Sequence, residues 1–197
     1  MFRRLLQPLA LGLASVLVVV LAIQSRRLRE EVRTLRRQIT LPYRGHMVPA
    51  FHATTLTGDS VTIGAPPPGA RQVLFVFTTT CRFCLSTLPA WKSAFAAVQQ
   101  DKPGTTVYGV SLDPVAETER YIGEHALPFP VVLLADARMV ALYRASSVPL
   151  SLVLDSDGRV RYARLGEIIH SATTDSLVEA VRDTSTLPVA AERGTVN

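Results

Sequence analysis

The stretch Phe75-Val76-Phe77-Thr78-Thr79-Thr80-Cys81-Arg82-Phe83-Cys84 constrains the chain more than any other. An apolar run of β character breaks into a polar turn carrying two cysteines, and a helix-like segment follows. Val73 to Phe77 is apolar throughout, the pattern of a strand covered on both faces. The chain of 197 residues has no other cysteine. Two residues between the pair is the spacing of a redox dithiol on the first turn of a helix. There the first sulfur lies beside unpaired backbone N–H groups and the positive end of the helix dipole, which favour the reactive thiolate.

Other classes are excluded by composition. The net charge of +5 comes largely from arginines in the first forty residues, and no basic stripe interleaved with aromatics follows. Nucleic-acid binding is therefore not expected. Two cysteines are too few for a disulfide scaffold, and a single pair is a poor structural zinc site.

At the N-terminus, Arg3 and Arg4 precede an uncharged run from Leu9 to Ile23. With Leu5 and Leu6 it approaches the roughly 20 residues that cross a bilayer. The segment lacks a small-x-small cleavage site, so residues 1–24 are expected to be an uncleaved anchor and not a signal peptide. Residues 25–44 are expected to be a charged helical stalk, capped by Ser25, with Leu28, Val32, Leu35 and Ile39 on one narrow seam. The arginines following the span, from Arg26 to Arg37, outnumber the two before it, and this opposes export of the C-terminal part.

A domain is expected over 45–185, with a flexible tail at 186–197. Phe51–Leu56 and Ser60–Ile63 read as a hairpin, and Val73–Phe77 as a buried strand. Leu85–Gln100 reads as a helix that Pro89 should kink or split. Val107–Leu112 is another buried strand, and Asp113-Pro114 opens a helix with a capping residue and then proline. Val131–Leu134 is a strand, and Asp136 caps a short helix to Tyr143. Leu150–Leu154 and Arg159–Ala163 form a second hairpin, and Ser171–Arg182 the last helix. Strands alternating with helices make an α/β mixed sheet flanked by helices on both faces, its antiparallel part the Leu150–Ala163 hairpin.

With these residues placed, the chain resembles the thioredoxin superfamily. More closely, it is similar to that superfamily's membrane-anchored TlpA/ResA-like thiol–disulfide oxidoreductases, which border the AhpC/TSA group. The resemblance rests on Cys81-Arg82-Phe83-Cys84 after an apolar strand, Pro89, Val148-Pro149 before a strand, and Leu154-Asp155-Ser156-Asp157-Gly158-Arg159-Val160. It implies a thioredoxin-like fold with an N-terminal β-hairpin extension. It also implies that Cys81 attacks, that Cys84 resolves, and that Pro149 is a cis-proline facing the pair. Val148 would offer backbone groups to a substrate strand, and Thr80, Arg82 and Phe83 would flank substrate or tune the dithiol. The cofactor would be none beyond the redox-active Cys81–Cys84 disulfide. The partners would be a disulfide-bearing exported protein and an upstream thiol electron donor in the membrane, with the domain in the bacterial periplasm.

The chain departs from the pattern at Thr80, where a tryptophan is usual, and at Phe75 and Thr87, where acids are usual. The ordinary proton acceptor for Cys84 is thus missing. Arg82 is expected to favour the Cys81 thiolate, which leans toward an oxidant, whereas the resemblance leans toward a reductant. Two alternatives remain. In a peroxiredoxin-like peroxidase, Thr78 three residues before Cys81 would fit, but Leu74 replaces the motif's proline. A copper-handling module would need His125 or His170 beside the thiols, since His46 and His52 lie upstream.

Overall fold

The computed structural model describes residues 17–29, 42–101 and 104–183. The chain divides into two units, residues 1–41 and 42–197. In the first, residues 17–29 form helix α1, whose apolar side chains Leu17 to Leu21 and Ile23 are exposed. Ser25 lies inside this helix and does not cap a new one, because residues 17–29 form one helix across it. Among the described residues no helix is long and apolar enough to cross a membrane. Residues 1–16 of the expected anchor, 30–41 of the expected stalk and the tail at 186–197 lie outside the described residues.

The second unit is built around β3 (Gln72–Phe77), in which all six residues are buried. β3 pairs in parallel with β4 (Thr106–Ser111), which pairs in parallel with β5 (Val131–Leu133). On its other side β3 pairs antiparallel with β6 (Leu150–Leu154), followed by antiparallel β7 (Val160–Leu165). The order is β5-β4-β3-β6-β7, a mixed sheet as expected. The separate hairpin of β1 (Phe51–Thr54) and β2 (Ser60–Ile63) is tied to it by buried Gln72, whose amide accepts from Gly64 N–H at 2.7 Å and donates to Thr62 O at 2.9 Å.

Side-chain alternation along β3 divides the core. Val73, Phe75 and Phe77 join residues of α2 (Arg82–Asp101), α3 (Val115–His125) and α5 (Ser171–Arg182). Leu74 and Val76 face Ile63 of the hairpin and Tyr143, which closes α4 (Ala137–Leu142). Burial of both faces is what the continuous apolar run of β3 requires.

Two expectations need correction. Pro89 lies inside α2, which runs continuously from Arg82 to Asp101, so the proline does not split off a first turn and the helix begins earlier than the expected Leu85. A proline forfeits one backbone bond, but Leu88, Trp91, Ala94 and Val98 bury one face of the helix on both sides of Pro89. Asp113 does not cap α3, because Pro114 holds the cap position, and the cap residue makes no side-chain hydrogen bond to the helix start. The Asp113 carboxylate is engaged elsewhere.

Candidate dithiol site

Cys81 immediately precedes α2 and Cys84 lies in its first turn, so the two-residue spacing brings both sulfurs to one helix end. Cys81 occupies the capping position. Its carbonyl accepts from Cys84 N–H at 3.0 Å and Leu85 N–H at 3.2 Å, and its Sγ also accepts from Cys84 N–H at 3.3 Å. This is the geometry by which a serine caps a helix, here made with sulfur. No acidic residue lies in the first turn of α2, so the positive end of its dipole is not offset there. Both cysteines are free thiols, Cys81 half-buried and Cys84 fully buried. Burial pushes the Cys84 thiol far above its ordinary range, and its hydrogen bond with Cys81 pushes the same way.

Across the site lies Val148–Pro149, joined by a cis peptide bond. Pro149 is buried and Val148 half-buried. The Cys81 thiol donates to Val148 O at 3.9 Å, a long sulfur contact. Thr80, Arg82 and Phe83 are exposed at the rim. The Arg82 guanidinium lies over the Phe83 ring, 4.6 Å from its centroid, and the two form one exposed cationic and aromatic surface.

Several residues that support the site were missed or misread from sequence. Thr79, two residues before Cys81, donates to Asp113 Oδ2 from its backbone N–H at 2.5 Å and from its hydroxyl at 2.7 Å. The register of β3 on β4 could have found this bond. Phe77 lies opposite Ser111, and the same offset carried two residues beyond the strand ends sets Thr79 opposite Asp113. Thr87 is buried; its hydroxyl donates to Phe83 O at 2.7 Å and accepts from Ile168 N–H at 3.2 Å. Phe75 stacks on Trp91 with centroids 5.0 Å apart and meets Phe129 edge-on, and Trp91 Nε1 donates to Ser151 Oγ at 2.8 Å. The two positions where an acid is usual are thus filled by core packing and a helix-to-loop tie.

The alternatives fare differently. Thr78 meets Cys81 through its backbone carbonyl, which accepts from Cys81 N–H at 3.3 Å. Among the described residues no group of three or more His, Cys, Asp or Glu could hold a metal ion. His125 lies edge-on to Tyr121, His170 caps α5, His46 bonds Leu142 O, and His52 bonds the Thr62 hydroxyl.

A mixed sheet with a capped dithiol at the end of its central strand defines a thioredoxin-like α/β protein. The AhpC/TSA family profile matches residues 44–163, and the chain belongs to that family. Among curated relatives, the methylamine utilization protein MauD of Methylophilus methylotrophus is 29% identical over 117 residues, 59% of this chain and 53% of MauD. The chain thus spans about half of MauD's length. Sporulation thiol-disulfide oxidoreductase A of Bacillus subtilis (strain 168) is 28% identical over 122 residues, 60% of this chain and 73% of that protein. The crystal structure of StoA from Bacillus subtilis superposes with a TM-score of 0.57 at 24% identity, covering 68% of this chain and 98% of StoA. A putative thiol:disulfide interchange protein DsbE from Chlorobium tepidum gives 0.60 at 20% identity, covering 73% and 98%. At these identities the structural likeness establishes the fold.

Proposed function

We propose that the chain is a thiol–disulfide oxidoreductase working through Cys81 and Cys84. The observation that carries this reading is the asymmetry of the pair at one helix end. Cys81 is half-buried with its sulfur on a backbone N–H, while Cys84 is fully buried behind it. An accessible sulfur can be attacked or attack; a sheltered one can only react with its neighbour.

The Cys81 thiolate attacks a partner disulfide, forming a mixed disulfide and expelling one partner thiolate. Cys84 loses its proton and attacks the Cys81 sulfur. The Cys81–Cys84 disulfide forms, the second partner thiolate leaves, and two electrons have passed to the partner. Pro149 and Val148 border the sulfur that the partner approaches, and Thr80, Arg82 and Phe83 present the surface around it.

The favoured direction is reduction of a specific exported protein during its maturation, a cytochrome or another metalloprotein. An upstream thiol donor in the membrane would re-reduce the pair. The resemblance to TlpA/ResA-like proteins leans toward this direction, and the thiol–disulfide oxidoreductase among the relatives supports the exchange chemistry itself. The uncharged run at the N-terminus supports an anchor holding the domain in the periplasm, against the arginine balance.

The deciding experiment equilibrates the pair with glutathione or dithiothreitol buffers. A reduction potential near −270 mV, roughly that of thioredoxin, or lower supports the reductant. A value of about −120 to −180 mV overturns that direction in favour of an oxidant or isomerase.

A further inference from the structure

A cleft of about 400 Å³ opens beside the dithiol loop. Thr79 and Thr80, the two residues before Cys81, line one side, and Glu117, Arg120, Tyr121 and Glu124 of α3 line the other. The helix period explains the second group, since positions 117, 120, 121 and 124 share one face of α3. Thr118 and Tyr121 are buried and fix how the helix is turned, while Glu117, Arg120 and Glu124 stay exposed. The two sides are tied together. Asp113, just before the start of α3, takes both hydrogen bonds from Thr79.

The charges in the cleft are not paired with one another. Among the described residues Glu117, Arg120 and Glu124 make no ion pair, so two carboxylates stand against one guanidinium. Arg82 and Phe83, which follow Cys81, do not line the cleft, and the exposed Arg82 guanidinium lies over the Phe83 ring. The flank before Cys81 is therefore net negative and the flank after it positive.

We propose that this cleft is a docking subsite for the disulfide-bearing partner, and that it takes a lysine or arginine beside the partner's cysteine between Glu117 and Glu124. The inference rests on the exchange reading above. Two observations commit the occupant. The cleft is continuous with the reacting sulfur, because Thr80 adjoins Cys81 in the chain. A side chain held there thus belongs to the polypeptide whose disulfide is being attacked. The net charge of the cleft selects a cation, and Arg82 repels the same cation from the other flank, which sets the direction in which the partner's chain lies. Exposed charges of this kind act on encounter and orientation, and salt screens them.

The test offers short peptides, each with one cysteine disulfide-bonded to thionitrobenzoate, to the reduced full chain in a stopped-flow instrument. Lysine, glutamine or glutamate stands just before or just after the cysteine. The Cys81 thiolate attacks the peptide sulfur and expels thionitrobenzoate; the Cys84 thiolate then displaces the peptide thiolate and closes the Cys81–Cys84 disulfide. At low salt the lysine peptide, in one placement or the other, should react about five-fold faster than its glutamine counterpart, the factor carried by two exposed ion pairs. Glu117→Gln combined with Glu124→Gln should erase that preference and leave the glutamine peptide's rate unchanged. Glu117→Lys combined with Glu124→Lys should turn the preference toward glutamate. A wild-type chain that does not favour lysine in either placement overturns the inference, as does a preference that survives the double glutamine variant. Reaction with 5,5′-dithiobis(2-nitrobenzoate), which carries no peptide, tests the exchange reading separately. There Cys81 should release one thionitrobenzoate and Cys84 the second, and release of only one overturns that reading.

Discussion

Replacing Asp113 should loosen the site from behind. One carboxylate oxygen takes both hydrogen bonds from Thr79, at 2.5 Å from the backbone and 2.7 Å from the hydroxyl. Hydrogen bonds to a charged group contribute about 1.5–3 kcal/mol each, and half-burial of both residues puts these at the lower end because water can replace part of what is lost. Asp113→Ala should therefore cost about 2–3 kcal/mol, and Asp113→Asn, which keeps one acceptor, about 1 kcal/mol. Thr79→Val removes only the hydroxyl bond, so its double-mutant cycle with Asp113→Ala should give a coupling of about 1 kcal/mol. Urea unfolding measures all of these, with an unchanged m-value as the check that the folded state is otherwise intact. The loop also carries Cys81, so Asp113→Ala should slow the first thionitrobenzoate release as well. A loss below about 0.5 kcal/mol, or full additivity with Thr79→Val, would refute the clamp.

Thr87→Val should cost about 1–3 kcal/mol by equilibrium unfolding, because Ile168 N–H is left buried without a partner, and Thr87→Ser should restore most of it. Gly158→Ala should lose about 2 kcal/mol or more, since Gly158 has φ +73° and an added Cβ would meet Gly64 O and Val48 O at 2.8 Å; a thermal midpoint within a degree of wild type would contradict this. The Cys84 thiol is raised by burial and is protonated at neutral pH, so the resolving rate should climb about ten-fold per pH unit through pH 7–9 without levelling, as read by stopped flow. Burial raises Tyr121 to about 12 and Tyr143 as well, against about 10 in the unfolded chain. Their contribution to stability is complete below about pH 10, where neither state ionises, and is lost as pH rises toward the folded values; Tyr121→Phe should flatten part of that alkaline slope in urea titrations.

The strands were legible because their patterns leave little choice. The continuous apolar run of β3 and the Asp155-Ser156-Asp157-Gly158 turn fix a buried centre and an antiparallel hairpin before any contact is known. The dithiol was legible for a similar reason: spacing alone brings two cysteines to one helix end. Residues whose partners are distant in sequence were harder to read. Asp113 before proline has the local signature of a helix cap, and local signatures ignore the loop that a parallel neighbour brings alongside. The fate of Pro89 depended on packing by Trp91 and Val98, which no propensity records.

The same distinction explains where acid–base help for Cys84 can come from. An acid at position 75 would sit in a fully buried place between Trp91 and Phe129, with a charge to bury and no hydrogen bond in reach of aromatic faces. At position 87 the hydroxyl is already committed to Phe83 O and Ile168 N–H, in a site with no exposure, so a longer carboxylate would break a tie between α2 and the loop before α5. β3 and α2 are therefore closed to the usual solution. The polar groups left near the buried sulfur, Asp113 and Tyr121, both come from the turn after β4 and the helix it opens. One holds the loop in front of Cys81, and the hydroxyl of the other is buried without a partner. Position 75 is committed to aromatic packing and position 87 to a backbone tie, while the nearest carboxylate, Asp113, is committed to Thr79, which is why a motif confined to residues 75–87 looks incomplete.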